Sequence, residues 1–268
     1  MFKYISLCIN LLFLSPLVSN AQSTINTIPI EKTEYGLIFT DIQINGKTVK
    51  AMVDYGDQHA LILSSTLVKQ LHIKTNKAYY QSSDIYGNVV DVYTGTVENI
   101  TIGNKLENSM NFAMQYDDIE AISKQVGTDF QAIIGMGYFN DYYTEIDYGN
   151  NQFILHKNLD KKDKYKFSLP YLKDANQLIF DVTYKQGKLR AMLDTGASVS
   201  AADTSICDDS SENCPFQFTL NNTPIEITVY PVDLSVLADL GVKVMLGTDF
   251  LNLYKITVDS KEGKLYFR

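Results

Sequence analysis

Residues 178–196 read LIFDVTYKQGKLRAMLDTG, and residues 38–56 read IFTDIQINGKTVKAMVDYG. At a constant offset of 140 positions, without a gap, Asp41 falls on Asp181, Val49 on Leu189 and Lys50 on Arg190. Ala51-Met52-Val53-Asp54 then falls on Ala191-Met192-Leu193-Asp194. A second gapless match, at an offset of 112, sets IIGMGYFNDYYTEIDYGNNQFIL (133–155) on MLGTDFLNLYKITVDSKEGKLYF (245–267). It places Gly135 on Gly247 and Asp147 on Asp259. Two matches in the same order make the chain a diverged duplication. The first copy carries 140 − 112 = 28 more residues between its Asp and its Gly motif. Ile100-Thr101-Ile102 matches Phe218-Thr219-Leu220 at an offset of 118, so 140 − 118 = 22 of these residues precede residue 100. That stretch contains Tyr79–Thr96, two strand-like runs around Ile85-Tyr86-Gly87-Asn88, which reads as a hairpin. In the second copy the corresponding place holds the loop from Cys207 to Cys214.

The remainder is mostly short β-branched and aromatic runs between turns: Leu37–Ile44, Val49–Val53, Val97–Ile102, Asn111–Gln115, Gln152–Leu155 and their partners. Ser64–His72 is the clearest helical segment, with Ser64 or Ser65 as its N-cap. The expected architecture is all-β with few short helices: a lobe over residues 22–156, a Lys-rich solvated linker over 157–166, and a second lobe over 167–268. Residues 1–21 stand apart. Lys3, the apolar run Ile5–Val18 and Ser19-Asn20-Ala21 have the layout of a secretory signal peptide. Cleavage after Ala21 leaves a chain from Gln22 with a charge of 22 − 31 = −9. The expectation is an exported protein, periplasmic or extracellular, with no integral membrane segment once the signal is removed.

With 268 residues, 45% of them hydrophobic and 20% charged, the chain is apolar enough for a real core, which excludes low-complexity disorder. A net charge of −8 argues against nucleic acid as a partner. His59, His72 and His156 lie far apart and form no zinc-binding pattern, so no metal is expected. No phosphate loop, dinucleotide fingerprint or Gly-x-Ser-x-Gly elbow is present, and no cofactor is expected. Cys207 and Cys214, the thiols left after export, favour a disulfide closing a small loop over two free thiols.

Each copy ends an apolar strand on an Asp, with a Gly two residues on. A carboxylate there needs hydrogen bonds or a partner, because burying an unpaired charge is costly. Pseudo-twofold association of the copies brings Asp54 and Asp194 together, where two carboxylates share a proton at mildly acidic pH. One then acts as base on a water while the other protonates a carbonyl oxygen. At these residues the chain resembles the aspartic proteases of the pepsin and retroviral-protease type. Asp194-Thr195-Gly196-Ala197-Ser198 matches the Asp-Thr-Gly-Ala/Ser signature of that family, and Ile133-Ile134-Gly135 and Met245-Leu246-Gly247 look like its apolar-apolar-Gly element.

The resemblance implies a two-lobed pepsin-like fold with pseudo-twofold symmetry and an aspartic endopeptidase acting on an extended peptide or protein. It implies Asp54 and Asp194 as the catalytic pair, and Gly56, Gly196, Thr195 and Ala197 as residues bracing the loops or meeting substrate. It also implies a flap carrying Tyr86, and a monomer that is an internal pseudo-dimer. The first copy departs from the signature in Asp54-Tyr55-Gly56-Asp57. Tyr55 cannot occupy the small Thr site, and Asp57 adds a third carboxylate that raises the pKa of the aspartate it faces. The alternative reading is therefore a protease-fold peptide-binding or structural module of the cell envelope without turnover.

Overall fold

The computed structural model describes residues 23–83, 89–115, 118–159, 164–175, 177–207 and 210–268. The signal segment and Tyr86 lie outside the described residues. The first copy supplies strands β1 (Thr24–Pro29), β2 (Glu31–Lys32), β3 (Ile38–Ile44), β4 (Lys47–Asp54), β5 (Ile62–Leu63), β6 (Thr75–Ser83), β7 (Val89–Ile102), β8 (Lys105–Met114), β9 (Ala132–Gly135), β10 (Tyr143–Asp147) and β11 (Gln152–His156). The second supplies β12 (Phe167–Pro170), β13 (Leu178–Tyr184), β14 (Gly187–Leu193), β15 (Ala201–Asp203), β16 (Cys214–Leu220), β17 (Thr223–Val232), β18 (Val242–Leu246), β19 (Ile256–Asp259) and β20 (Lys264–Phe267). Between them lie the short α-helices α1 (Ser65–Gln70), α2 (Asp118–Val126), α3 (Met136–Phe139) and α4 (Thr248–Leu251).

The duplication read in the sequence is a duplication of topology. In the first lobe the order β3-β4-β9-β5-β8-β7 closes into a ring through the β3–β7 pairing. In the second lobe β13-β14-β18-β15-β17-β16 closes in the same way. The closures share one register, Gln43 facing Thr101 and Thr183 facing Thr219, which are equivalent positions at offsets of 140 and 118. Local chemistry sets the hairpins. Asn45 and Gly46 turn β3 into β4 with φ of 50° and 79°, the two positive values that a two-residue turn matching the strand twist requires.

A third sheet, β1-β11-β10-β19-β20-β12, joins the lobes. Its central strands pair antiparallel with Thr144 on Val258, Glu145 on Thr257 and Ile146 on Ile256. Exchanging the copies at the offset of 112 converts the first pair into the third and leaves Glu145–Thr257 on itself. The pseudo-twofold axis therefore runs through that pair. One continuous apolar core spans both barrels and this sheet, from Ile28 and Val53 through Phe153 to Leu193 and Phe267. The hairpin placed at Tyr79–Thr96 is β6 with the first half of β7, in register from Tyr79–Tyr93 to Ser83–Val89, and its strands extend further than expected. Ser64 caps α1 by accepting from the Leu67 amide.

Candidate active site

β4 and β14 deliver their terminal carboxylates to the same place. Each strand runs parallel to the apolar-apolar-Gly strand of its own lobe, β4 beside β9 with Asp54 opposite Gly135, and β14 beside β18. The Asp194 amide donates to the Leu246 carbonyl. Beyond each Asp the chain turns tightly: Asp57 N donates to Asp54 O, and Ala197 N to Asp194 O. The amides of Gly56 and Gly196 donate to the inner carboxylate oxygens of Asp54 and Asp194 at 2.7 and 2.8 Å. The Met136 and Thr248 amides then hold the following carbonyls, Asp57 O and Ala197 O, at 2.7 and 3.1 Å. Ala197 thus braces its loop through its backbone.

The glycines are required by proximity. Neither Gly56 nor Gly196 has a positive φ. A Cβ on Gly56 would lie 2.8 Å from Asp194 Oδ1, and one on Gly196 would lie 2.7 Å from Asp54 Oδ1. Each carboxylate therefore rests against the other loop's glycine. They sit deep in the molecule yet keep an accessible edge. Burial pushes Asp54 well above the usual carboxylate range, and the charges of Asp194 and then Asp57 add to it. Burial also raises Asp194, against the hydrogen bond from Asp54, which favours its ionised form. Both carboxyls are thus held above their ordinary range, and the raised values belong to the pair.

The loops are braced from one side. Thr195 Oγ1 accepts from the Tyr55 amide at 2.8 Å and donates to the Val53 carbonyl at 2.9 Å, so one buried hydroxyl crosses the interface twice. Tyr55 does not reciprocate. Its ring turns away from the dyad into the core, stacked on Phe139 at 4.8 Å and Phe153 at 6.1 Å, with its hydroxyl near Thr144. At the equivalent positions the second lobe has Thr195, Leu251 and Leu265, so aromatic packing in one lobe replaces a small polar residue in the other. Asp57 faces the pair as expected, raising both aspartates, but it is not alone. Its Oδ1 receives the His59 amide at 2.7 Å and lies 2.8 Å from His59 Nδ1.

Several residues at the site were not singled out in the sequence. Gln177 reaches across the lobes to donate to the Gly56 carbonyl at 3.2 Å. Thr248 Oγ1 donates to Gly36 O at 2.7 Å, tying the second lobe to the loop before β3. Ser200 Oγ donates to Asp249 and accepts from the Gly247 amide. Tyr80, on β6, has its hydroxyl 2.6 Å from His59 Nε2. Carrying the repeat alignment past the glycines would have flagged His59, which stands where the second copy has Val199. Tyr80 carries no comparable signal. Cys207 and Cys214 form a disulfide at the place in the second lobe where the first has its hairpin.

Two closed six-stranded barrels that bring an aspartate each to one place form the two-lobed all-β fold expected from the sequence. Residues 40–138 match the family model described as aspartyl protease, a stretch that takes in Asp54 and the β9 glycine. The second lobe is tied to it by the internal repeat and by the identical strand order. No curated protein matches the chain.

Proposed function

We propose that the protein is an aspartic endopeptidase in which Asp54 and Asp194 are the acid/base pair. The observation that carries this reading is the contact of each carboxylate with the other loop's glycine, which puts both groups on one water. Asp194, ionised, takes a proton from that water as it attacks a peptide carbonyl; Asp54 gives its proton to the carbonyl oxygen. Asp194 then gives the water-derived proton to the leaving nitrogen while Asp54 takes one back from a hydroxyl of the collapsing gem-diol, so the C–N bond breaks and the pair is left with one proton again. An extended peptide lies between the lobes under the β6–β7 hairpin, held by its backbone with its side chains in alternate pockets. Residues 1–21 direct export to the periplasm or beyond, and the chain from Gln22 acts as a monomer. Among the described residues no helix is long and apolar enough to cross a membrane.

The one-sided brace at Thr195 favours a second reading, a peptide-binding module without turnover. Cleavage of an unfolded protein and a random peptide pool from pH 3 to 7, with Asp194→Asn and pepstatin alongside, separates the two. Cutting that both interventions abolish supports the peptidase; peptide binding without cutting at any pH supports the module.

A further inference from the structure

We propose that His59 is a positioning residue that latches the β6–β7 hairpin to the catalytic loop, through Asp57 on one ring nitrogen and Tyr80 on the other. The kinetic part of this proposal rests on the peptidase reading; the mechanical part does not.

The two lobes provide the control. Asp57-Gln58-His59 stands where the second copy has Ala197-Ser198-Val199. The backbone path is the same in both. A Cβ on Gly135 would meet His59 O and Asp57 O, and one on Gly247 would meet Val199 O and Ala197 O, all within 2.8 Å. The side chains differ, and so does what lies above them. Where the lobe has a hairpin, the loop presents an imidazole to a hairpin hydroxyl; where a disulfide loop replaces the hairpin, it presents an exposed valine.

The neighbours of the ring suit one assignment of its nitrogens. Asp57 Oδ1 accepts the His59 amide, and an ionised carboxylate has no proton to give, so Nδ1 carries a proton and donates it across the 2.8 Å contact. In the neutral ring Nε2 then accepts from the Tyr80 hydroxyl at 2.6 Å. The His59 and Tyr80 rings lie nearly parallel, 6.5 Å apart. The outer strand of the hairpin, β6, needs such an anchor because it buries little of its own surface, whereas β7 is held by Val92 in the core and by its pairing with β8. Tyr79 and Tyr80 are 52% and 42% exposed, and a segment with so few buried contacts opens at low cost. The latch joins it to the turn carrying Asp54, so a peptide entering the cleft meets a hairpin already placed over the dyad.

The test is hydrogen exchange of the hairpin amides, residues 75–83 and 89–95, in the mature chain without substrate. The variants are His59→Val, Tyr80→Phe and their double, with Tyr79→Phe as the control that keeps the latch. One lost hydrogen bond corresponds to about five- to tenfold faster exchange. That increase is expected in both single variants, with no further increase in the double and none in Tyr79→Phe. Unchanged exchange in Tyr80→Phe, or additive effects in the double variant, overturns the latch. In peptide cleavage Tyr80→Phe, which leaves the His59–Asp57 contact in place, is expected to raise KM about tenfold and to leave kcat within about threefold. A larger fall in kcat at unchanged KM contradicts the positioning role. If the wild-type chain cleaves nothing, the peptidase reading fails and the exchange experiment still decides the latch.

Discussion

Thr195 Oγ1 makes two hydrogen bonds between the two aspartate loops, whereas Tyr55 at the equivalent position contributes its amide and sends its ring into the core. Thr195→Val keeps the volume and removes both bonds. A loss of about 2–4 kcal/mol in denaturant unfolding is expected, with cleavage reduced at least about tenfold. Converting Tyr55 to Thr does not mend the asymmetry. It adds about 1 kcal/mol per new hydrogen bond but empties the space the Tyr55 ring fills against Phe139 and Phe153, at about 3–5 kcal/mol for a truncated core aromatic. Tyr55→Thr is therefore expected to destabilise, and denaturant midpoints would show it. The aspartate pair makes an opposite prediction. Both folded pKa values lie above the unfolded ones, so the destabilisation is absent below the ordinary carboxylate pKa of about 4 and grows as pH rises from there through the folded values. Asp194→Asn removes one buried carboxylate, and with it the cost of burying its charge and its repulsion of Asp54. It should raise the melting temperature at pH 7 by about 2–4 °C per kcal/mol recovered, and the gain should vanish by about pH 3. A gain that persists in acid would contradict the shared-proton pair. Asp57 raises both aspartates, so Asp57→Ala should move the alkaline limb of the rate profile to lower pH.

At the scale of elements, the disulfide closes the loop that replaces the hairpin in the second lobe. Replacing both Cys207 and Cys214 by Ala is expected to cost about 2–3 kcal/mol for a loop of that length, measured by denaturant unfolding against the oxidised protein. The barrel strands were legible in sequence because alternation and turn residues act locally: Asn45-Gly46 dictates its hairpin wherever it occurs. The pairing of lobes was legible because duplication repeats the register. Helix α2 was missed although Ile119, Ile122 and Val126 form an apolar stripe, which packs on Phe39, Met52 and Phe130. The four-residue helices α3 and α4 have no local signal of their own; the turn after each β-strand glycine creates them. At the site, Asp54, Asp194 and Thr195 could be read because both their chemistry and their place in the repeat are fixed. Tyr80 could not, since its contact with His59 depends on how a hairpin twenty-one residues away in sequence folds back over the loop. Tyr55 was recognisable as a departure, but its destination depended on Phe139 and Phe153, which no short-range pattern links to it.

Over the whole molecule, the pseudo-twofold axis passes through Glu145 and Thr257 beneath the dyad, and the central sheet holds the two loops in register. Glu145 is buried and pairs with Arg268 and Lys255, while Lys255 also reaches Asp147 at 2.6 Å, so the last residue of the chain is bound to the centre of the sheet. Glu145→Ala is expected to cost about 2–4 kcal/mol in unfolding free energy, below the full cost for a broken buried pair because both cations are partly exposed. Because the sheet shares one core with both barrels, that loss should appear as a lower midpoint for the whole chain, with both lobes reporting it in hydrogen exchange. The central claim is that two lobes, one of them with an altered signature, still assemble one proton-sharing pair that cleaves peptides. It is tested most directly by measuring cleavage of a random peptide pool by wild type, Asp54→Asn and Asp194→Asn side by side at the wild-type optimum. The account predicts cutting by the wild type and a loss of at least about a thousandfold in either variant; cutting that survives in Asp54→Asn, or a wild-type chain that cuts nothing, would contradict it.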